Sequence, residues 1–333
     1  MVRNRQRILI FNTIFVLVVC VLIAVILEVT ARLIGFGDPI IYYNAAWGGI
    51  RPLPSQQVER LKGVTVTIDG NGFRTATPKV QGALRILYLG DSVTWGGSSI
   101  DDTMLFTEVA ADVLRARGLK VYAMNAGVNG SSLMNQADIY LHSQDSVDVL
   151  VWLFPWGDVN RAYATAGYLW PPTKKPRFAL VEAIDHVIRV YWLTFFRRVG
   201  QRAPEEYIHP EVPYGYEEFF DRVLQDRFRR NLDALDEAVS NALSKGIPVI
   251  VGITPEQTEA QRVPNPTKAI ELLRNLEARG VHIMDIHRVI DAGADIESIY
   301  IDNIHFNSRG HRLIGEALGK ELTAILRGVL EAV

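Results

Sequence analysis

An α/β fold, a three-layer αβα sandwich around a five-stranded parallel sheet, is predicted for residues 84–333 by two patterns. Five short runs, RILYLG (85–90), KVYAMN (120–125), VDVLVWLF (147–154), IPVIVGI (247–253) and VHIMDI (281–286), are almost continuously apolar, as strands buried on both faces of a parallel sheet are. Helical stretches separate them, at about 104–117, 132–143, 217–245, 266–279 and 309–330. Strands alternating with helices imply right-handed βαβ units and a doubly wound sheet. A third pattern, a long apolar run near the N-terminus, adds a transmembrane helix.

That run, ILIFNTIFVLVVCVLIAVIL from Ile8 to Leu27, has only Asn12 and Thr13 as polar residues. At about 1.5 Å per residue it makes a helix of roughly 30 Å, the thickness of a bilayer's hydrocarbon core. Arg3, Arg5 and Arg7 precede it, and Glu28 and Arg32 follow. The positive-inside rule then sets residues 1–7 in the cytoplasm, 8–28 across the inner membrane, and the rest in the periplasm or outside the cell. A cleaved signal peptide has a shorter apolar stretch, about 7–15 residues, so a single-pass anchor is the expectation. The one cysteine, Cys20, lies inside this run, which rules out an intrachain disulfide or a cysteine-rich metal site.

Residues 29–83 read as a connector with little regular structure. Pro39, Pro52 and Pro54 punctuate it, and VTVTIDGNGF (64–73) suggests a short hairpin turning at Asn71-Gly72. Within the α/β domain, about ninety residues separate the third strand from the fourth, far more than a crossover requires. A solvated helix at 217–245 accounts for part of this. An aromatic and proline-rich insertion at about 160–216 accounts for the rest, with a helix expected at 180–199 that carries Trp192, Phe195, Phe196, Arg197 and Arg198. The insertion either packs on the body or caps the active site and touches the bilayer surface.

The net charge of −2 offers no basic surplus for a nucleic-acid partner. Chemistry is signalled at the two ends of the domain. The first strand runs into GDSVTWGG, which sets Ser92 between a strand and a helix start, where ligands meet an open α/β sheet. There is no GxGxxG or GxxxxGK[ST] that would make it a phosphate loop. After the fifth strand, IDNIHFNSRGH sets Asp302 three residues before His305. A serine hydroxyl needs a base to take its proton, and that base needs a carboxylate to hold its tautomer. Of the seven histidines, His282 and His287 flank a strand and His311 opens the last helix as a packing or capping residue; only His305 has an aspartate at this offset. Asp302 and His305 as two metal ligands lack a third and fourth at a recognisable spacing, so no metal or other cofactor is expected.

Together, GDS at Ser92, NAGVNG (125–130) after the second strand and DxxH at Asp302 and His305 resemble the blocks of the GDSL/SGNH hydrolases. The resemblance covers residues 85–330, about three quarters of the chain, and implies a flavodoxin-like fold. It also implies a Ser92–His305–Asp302 triad and an oxyanion site built from the N–H groups of Ser92 and Gly130. The anchor and connector resemble a membrane-attached bacterial subgroup. One block departs: where the family has GxND, this chain reads FPWGDVNR, so Asp158 matches the aspartate but Gly157 stands in place of the asparagine. Gly157, Asn129 or Asn160 is left to supply that third donor, whose loss from such sites typically costs about 10²–10³ in rate.

The resemblance thus implies an extracytoplasmic esterase acting on an acyl ester of a carbohydrate, lipid or envelope polymer. An O-acyltransferase of an exported glycan uses the same triad and differs in excluding water. A weakly active envelope scaffold is the reading from another class. Trp156, Tyr163 and Trp170 are placed to face substrate, though packing explains each as well.

Overall fold

The computed structural model describes residues 2–60, 63–165, 171–198, 217–257, 267–293 and 295–327. Trp170 and the 199–216 part of the insertion lie outside the described residues. The chain opens with α1 (Val2–Leu33), followed by the short strands β1 (Tyr42–Asn44), β2 (Ile50–Pro52), β3 (Gln56–Arg60) and β4 (Val64–Ile68). Then come β5 (Leu84–Leu89), α2 (Ser92–Trp95), α3 (Phe106–Arg115), β6 (Val121–Asn125), α4 (Leu133–Ser143), β7 (Val149–Pro155) and α5 (Ala179–Arg198). The chain finishes with α6 (Glu217–Ser244), β8 (Val249–Thr254), α7 (Thr267–Glu277), β9 (His282–Ile283), α8 (Ile286–Gly293) and α9 (Ser308–Ile325). By contacts these elements form two compact units: α1 through Pro39, with Glu59–Gly63 and α5, make one, and the remaining elements make the other.

The larger unit is the expected sandwich. Its five strands are ordered β6-β5-β7-β8-β9 and every neighbouring pair is parallel, the 2-1-3-4-5 order of the flavodoxin-like sheet. Because side chains alternate along a strand, each strand feeds both faces. Leu87, Leu89, Trp152, Phe154, Val249 and Val251 point to the layer formed by α4, α6 and α7. Ile86, Tyr88, Val151, Leu153 and Ile250 point to the layer formed by α3, α8 and α9.

Two expectations need correction. The fifth apolar run, 281–286, contributes only His282–Ile283 to the sheet; Met284 and Ile286, the first residue of α8, are buried instead in the core shared with α3 and α9. An edge strand has one neighbour to satisfy, so burial of this run does not demand a long ladder. The connector also holds more regular structure than expected, four short strands besides the expected turn at Asn71-Gly72. Ile40, Tyr42, Ile50, Val58, Val66 and Ile68 form a third small core that closes on Trp95 and Val128. Gly72 N–H donates to the Asp69 carbonyl at 3.1 Å, and Ile68 bridges Arg74 across this turn. Arg74 in turn exchanges both backbone hydrogen bonds with Asn125 at the end of β6. The connector therefore reaches the carboxyl end of the sheet, where the motifs cluster.

Candidate active site

Strand β5 ends at Leu89 because Gly90 turns the chain sharply. A Cβ at Gly90 would stand 2.1 Å from Thr94 Oγ1 and 2.4 Å from the Leu153 carbonyl oxygen, so only glycine lets the strand pass into the short helix α2. Asp91 caps that helix by accepting the Val93 N–H at 2.9 Å, the local bond typical of aspartate at an N-cap. Ser92, half-buried, thus stands at the start of α2 above the end of the sheet.

The other end of the chain meets it. Asp302 Oδ1 accepts the backbone N–H groups of Ile304 at 2.9 Å and His305 at 2.8 Å. That tight turn swings the His305 ring back over its own aspartate, with Nδ1 at 2.8 Å from Oδ2. On the opposite edge of the ring, Nε2 is 2.8 Å from Ser92 Oγ. Carboxylate, imidazole and hydroxyl stand in one hydrogen-bonded line, the geometry a serine nucleophile needs for activation. Desolvation pushes the Asp302 carboxyl up, but the two N–H groups and the imidazole outweigh it and hold its pKa below the usual value.

These groups border a cavity of about 240 Å³ whose walls include Ser92, Gly96, Gly97, Asn129, His305 and His311. Of the sequence-derived oxyanion candidates, Ser92 and Asn129 line this cavity, and Gly130, Gly157 and Asn160 are not among its walls. Gly130 follows Asn129 with φ +70, a left-handed conformation that favours glycine. Gly157 is exposed in the single turn Trp156–Asn160. Tyr163 and Trp156 are not walls either: the Tyr163 hydroxyl donates to Asp138 at 2.6 Å, and Trp156 packs edge-on against Phe228.

Two arginines escaped the sequence reading. Arg161 Nη1 lies 2.8 Å from Asp91 Oδ2 and 2.8 Å from Asp158 Oδ1, joining two fully buried carboxylates, one of them next to Ser92 in the chain. Asp158 also accepts from Gln136 Nε2 at 2.9 Å, and Gln136 accepts from the Trp152 indole at 2.5 Å. Buried carboxylates need such partners. The one available signal was the three-residue spacing of Asp158 and Arg161 in a helical turn. Arg74, buried from the connector side, pairs with Asp102 at 2.7 Å and donates to the carbonyls of Trp95, Gly97 and Ile100. It thereby ties down the loop that carries Gly96 and Gly97 along the cavity wall.

His311 does not cap α9; Asn307 does, accepting from the Arg309 and Gly310 N–H groups. Its Nδ1 accepts the first N–H of α3, from Phe106, at 3.3 Å, and its ring stacks on Phe106. Burial, then the nearby charges of Arg74 and His305, lower its pKa to about 3. It therefore lines the cavity as a neutral imidazole.

No protein-family model matches the sequence, and no curated protein does. Solved structures do resemble the fold. A lipolytic protein of the G-D-S-L family from Veillonella parvula is similar over 72% of this chain and 99% of its own, at 13% identity and a TM-score of 0.42. A lipase/acylhydrolase from Enterococcus faecalis matches 72% of this chain and 96% of its own, at 15% identity and a TM-score of 0.38. A catalytic mutant of an acetylxylan esterase from Geobacillus stearothermophilus matches 74% of this chain and 96% of its own, at 14% identity and a TM-score of 0.42. These three neighbours are described as a lipolytic protein, a lipase/acylhydrolase and an acetylxylan esterase, all at low identity.

Proposed function

We propose that this chain is a serine esterase, held on the outer face of the cytoplasmic membrane by α1, that hydrolyses short acyl esters of a carbohydrate, lipid or envelope polymer. One observation carries the chemistry: His305 stands 2.8 Å from the Ser92 hydroxyl and 2.8 Å from the Asp302 carboxylate on its other nitrogen. In the reaction, Ser92 Oγ attacks the ester carbonyl as its proton passes to His305 Nε2. Asp302 holds the Nδ1–H and offsets the charge of the imidazolium. The tetrahedral oxyanion is taken by the N–H groups of Ser92 and Gly130, with Asn129 as third donor in place of Gly157, because Asn129 lines the cavity. Collapse expels the alcohol with the proton from His305. Water, deprotonated by the same imidazole, then attacks the acyl-enzyme and frees Ser92.

The size of the cavity supports a short acyl group, since sites for drug-sized ligands begin at about 300 Å³. The membrane part is supported by α1, whose stretch Gln6–Leu33 holds an 18-residue window of mean hydropathy 3.1, and by Arg3, Arg5 and Arg7 ahead of the apolar run. The test uses the full chain in detergent with p-nitrophenyl acetate and a fluorophosphonate probe. Wild type should release p-nitrophenol and be labelled, and Ser92→Ala should lose both, by at least about 10⁴-fold in rate. Equal turnover or equal labelling in the variant would refute the assignment.

A further inference from the structure

Helix α5 shares a compact unit with α1, and the bonds between them are specific. Glu28 accepts the two opening N–H groups of α5, from Ala179 at 3.0 Å and Leu180 at 2.9 Å. It caps the helix from another part of the chain, satisfying donors that a helix start leaves free. Glu182, one turn on, accepts the Gly37 N–H at 2.5 Å and pairs with Arg60 at 2.7 Å. Ala179 packs so closely on Gly37 that a Cβ there would meet its methyl at 2.9 Å, and the His186 ring lies against Phe36. This side of α5 is polar and occupied.

The other side is mostly apolar and exposed, with Asp185 as its one charged residue between Val181 and Ile188. Phe178, Val181, Ile184, Val187 and Ile188 are 50–64% exposed, with Val181, Ile184 and Ile188 in one row along the helix. Ordinary soluble surfaces scatter such residues singly rather than line them up. In the sequence, the same spacing continues at Tyr191, Trp192 and Phe195, with Arg189, Arg197 and Arg198 interspersed. Glu28 fixes the depth at which this helix begins. It is the first charged residue after the apolar run, and a carboxylate at the end of a bilayer span belongs at the headgroup boundary. The described apolar side chains of α1 from Ile8 to Leu27 are exposed all round, and if α1 spans a bilayer its lipid boundary lies where α5 starts.

We propose that α5 is a second membrane contact, an amphipathic helix that buries Val181, Ile184 and Ile188 at the boundary between headgroups and acyl chains. The proposal rests on the reading of α1 as a membrane span. Such a helix suits its composition: apolar residues exposed along its described part, and aromatics and arginines in the sequence that follows. It gives the chain a second attachment to the lipid surface without a second span.

Spin labelling tests this in the full chain reconstituted into vesicles of phosphatidylethanolamine and phosphatidylglycerol. On a Cys20→Ser background, single labels are introduced by Ile184→Cys and Ile188→Cys, by Leu22→Cys within α1, and by Lys174→Cys as an exposed control. The ratio of oxygen to nickel-chelate collision rates should rise at Ile184 and Ile188 well above that at Lys174, toward that at Leu22. A high ratio at Leu22 with water-like ratios on α5 would overturn the proposal and leave the anchor standing. Water-like ratios at all four positions would overturn both. An immobilised label on α5 shielded from both collision partners would mean that protein covers the face, which also overturns it.

Discussion

Ser92 and His305 stand 2.8 Å apart, yet they are held by opposite means. Ser92 belongs to a segment braced from elsewhere in the chain. Arg161 grips Asp91 beside it, Asn125 donates to the Thr94 carbonyl two residues on, and Arg74 binds three carbonyls of the following loop. His305 is held by its own neighbours. Asp302 bonds to the Ile304 and His305 N–H groups, Ile301 N–H donates to the His305 carbonyl, and the two side chains remain 38% and 55% exposed. The nucleophile is thus fixed by long-range buried polar groups and the acid–base pair by a short solvent-facing turn. On the first side chemistry and fold are coupled; on the second they are nearly independent.

The largest effect should come from breaking the exposed side. Asp302→Asn leaves the turn its oxygen acceptor but removes the charge that balances an imidazolium and fixes the tautomer. Loss of a triad carboxylate in this way costs on the order of 10⁴-fold in kcat. Because the side chain is more than half exposed, the unfolding midpoint in urea should move little, in keeping with the roughly 0.5 kcal/mol typical of surface changes. A variant that retains most of its kcat would show that Asp302 does not orient His305.

On the braced side the same size of change should appear as stability. Arg74→Met keeps volume but leaves the Asp102 carboxylate and the carbonyls of Trp95, Gly97 and Ile100 without their buried donor. Breaking a buried ion pair by removing one partner costs about 3–5 kcal/mol, so the urea midpoint should fall sharply. The folded fraction should also hydrolyse p-nitrophenyl acetate more slowly, because Gly96 and Gly97 on the cavity wall lose their tether. Arg74→Lys, which keeps the charge but lacks the fork of donors, should fall between. Wild-type stability in Arg74→Met would overturn the contrast between the two sides.

The same division explains what could be read in the sequence. Asp302 and His305 are legible because their relation is set within four residues, and GDS because a glycine, a capping aspartate and a serine act on adjacent backbone. The first four strands are legible because burial on both faces leaves continuous apolar runs. Arg74 and Arg161 are not, because Asp102 and Asp91 lie 28 and 70 residues away, and the one local cue, Asp158 three residues before Arg161, does not point to Ser92. The connector misled for a related reason. Its prolines and glycines mark turns, but its core residues Ile50, Val66 and Ile68 are scattered among them and close on residues far along the chain, Trp95 and Val128. The fifth run shows the converse, since apolar residues alone do not say whether a strand or a helix start will bury them.

His311 lies where the two sides meet, stacked on Phe106 and edge-on to Phe306, and it offers the finest test of their coupling. Its pKa is lowered by burial from 6.5 to about 3, so the folded chain refuses a proton that the unfolded chain accepts. Between those two values the unfolded state binds more protons, and stability must fall as the pH drops through that window. His311→Phe keeps an aromatic ring beside Phe106 and removes the titration. It also removes the acceptor for the Phe106 N–H, but that loss is the same at every pH. Urea midpoints measured from about pH 7 to about pH 4 should therefore decline less steeply in the variant than in wild type, the gap between the curves narrowing or reversing toward acid. Parallel curves would mean that His311 takes up its proton as readily in the folded chain as in the unfolded one, and that the junction between the two sides is open to water.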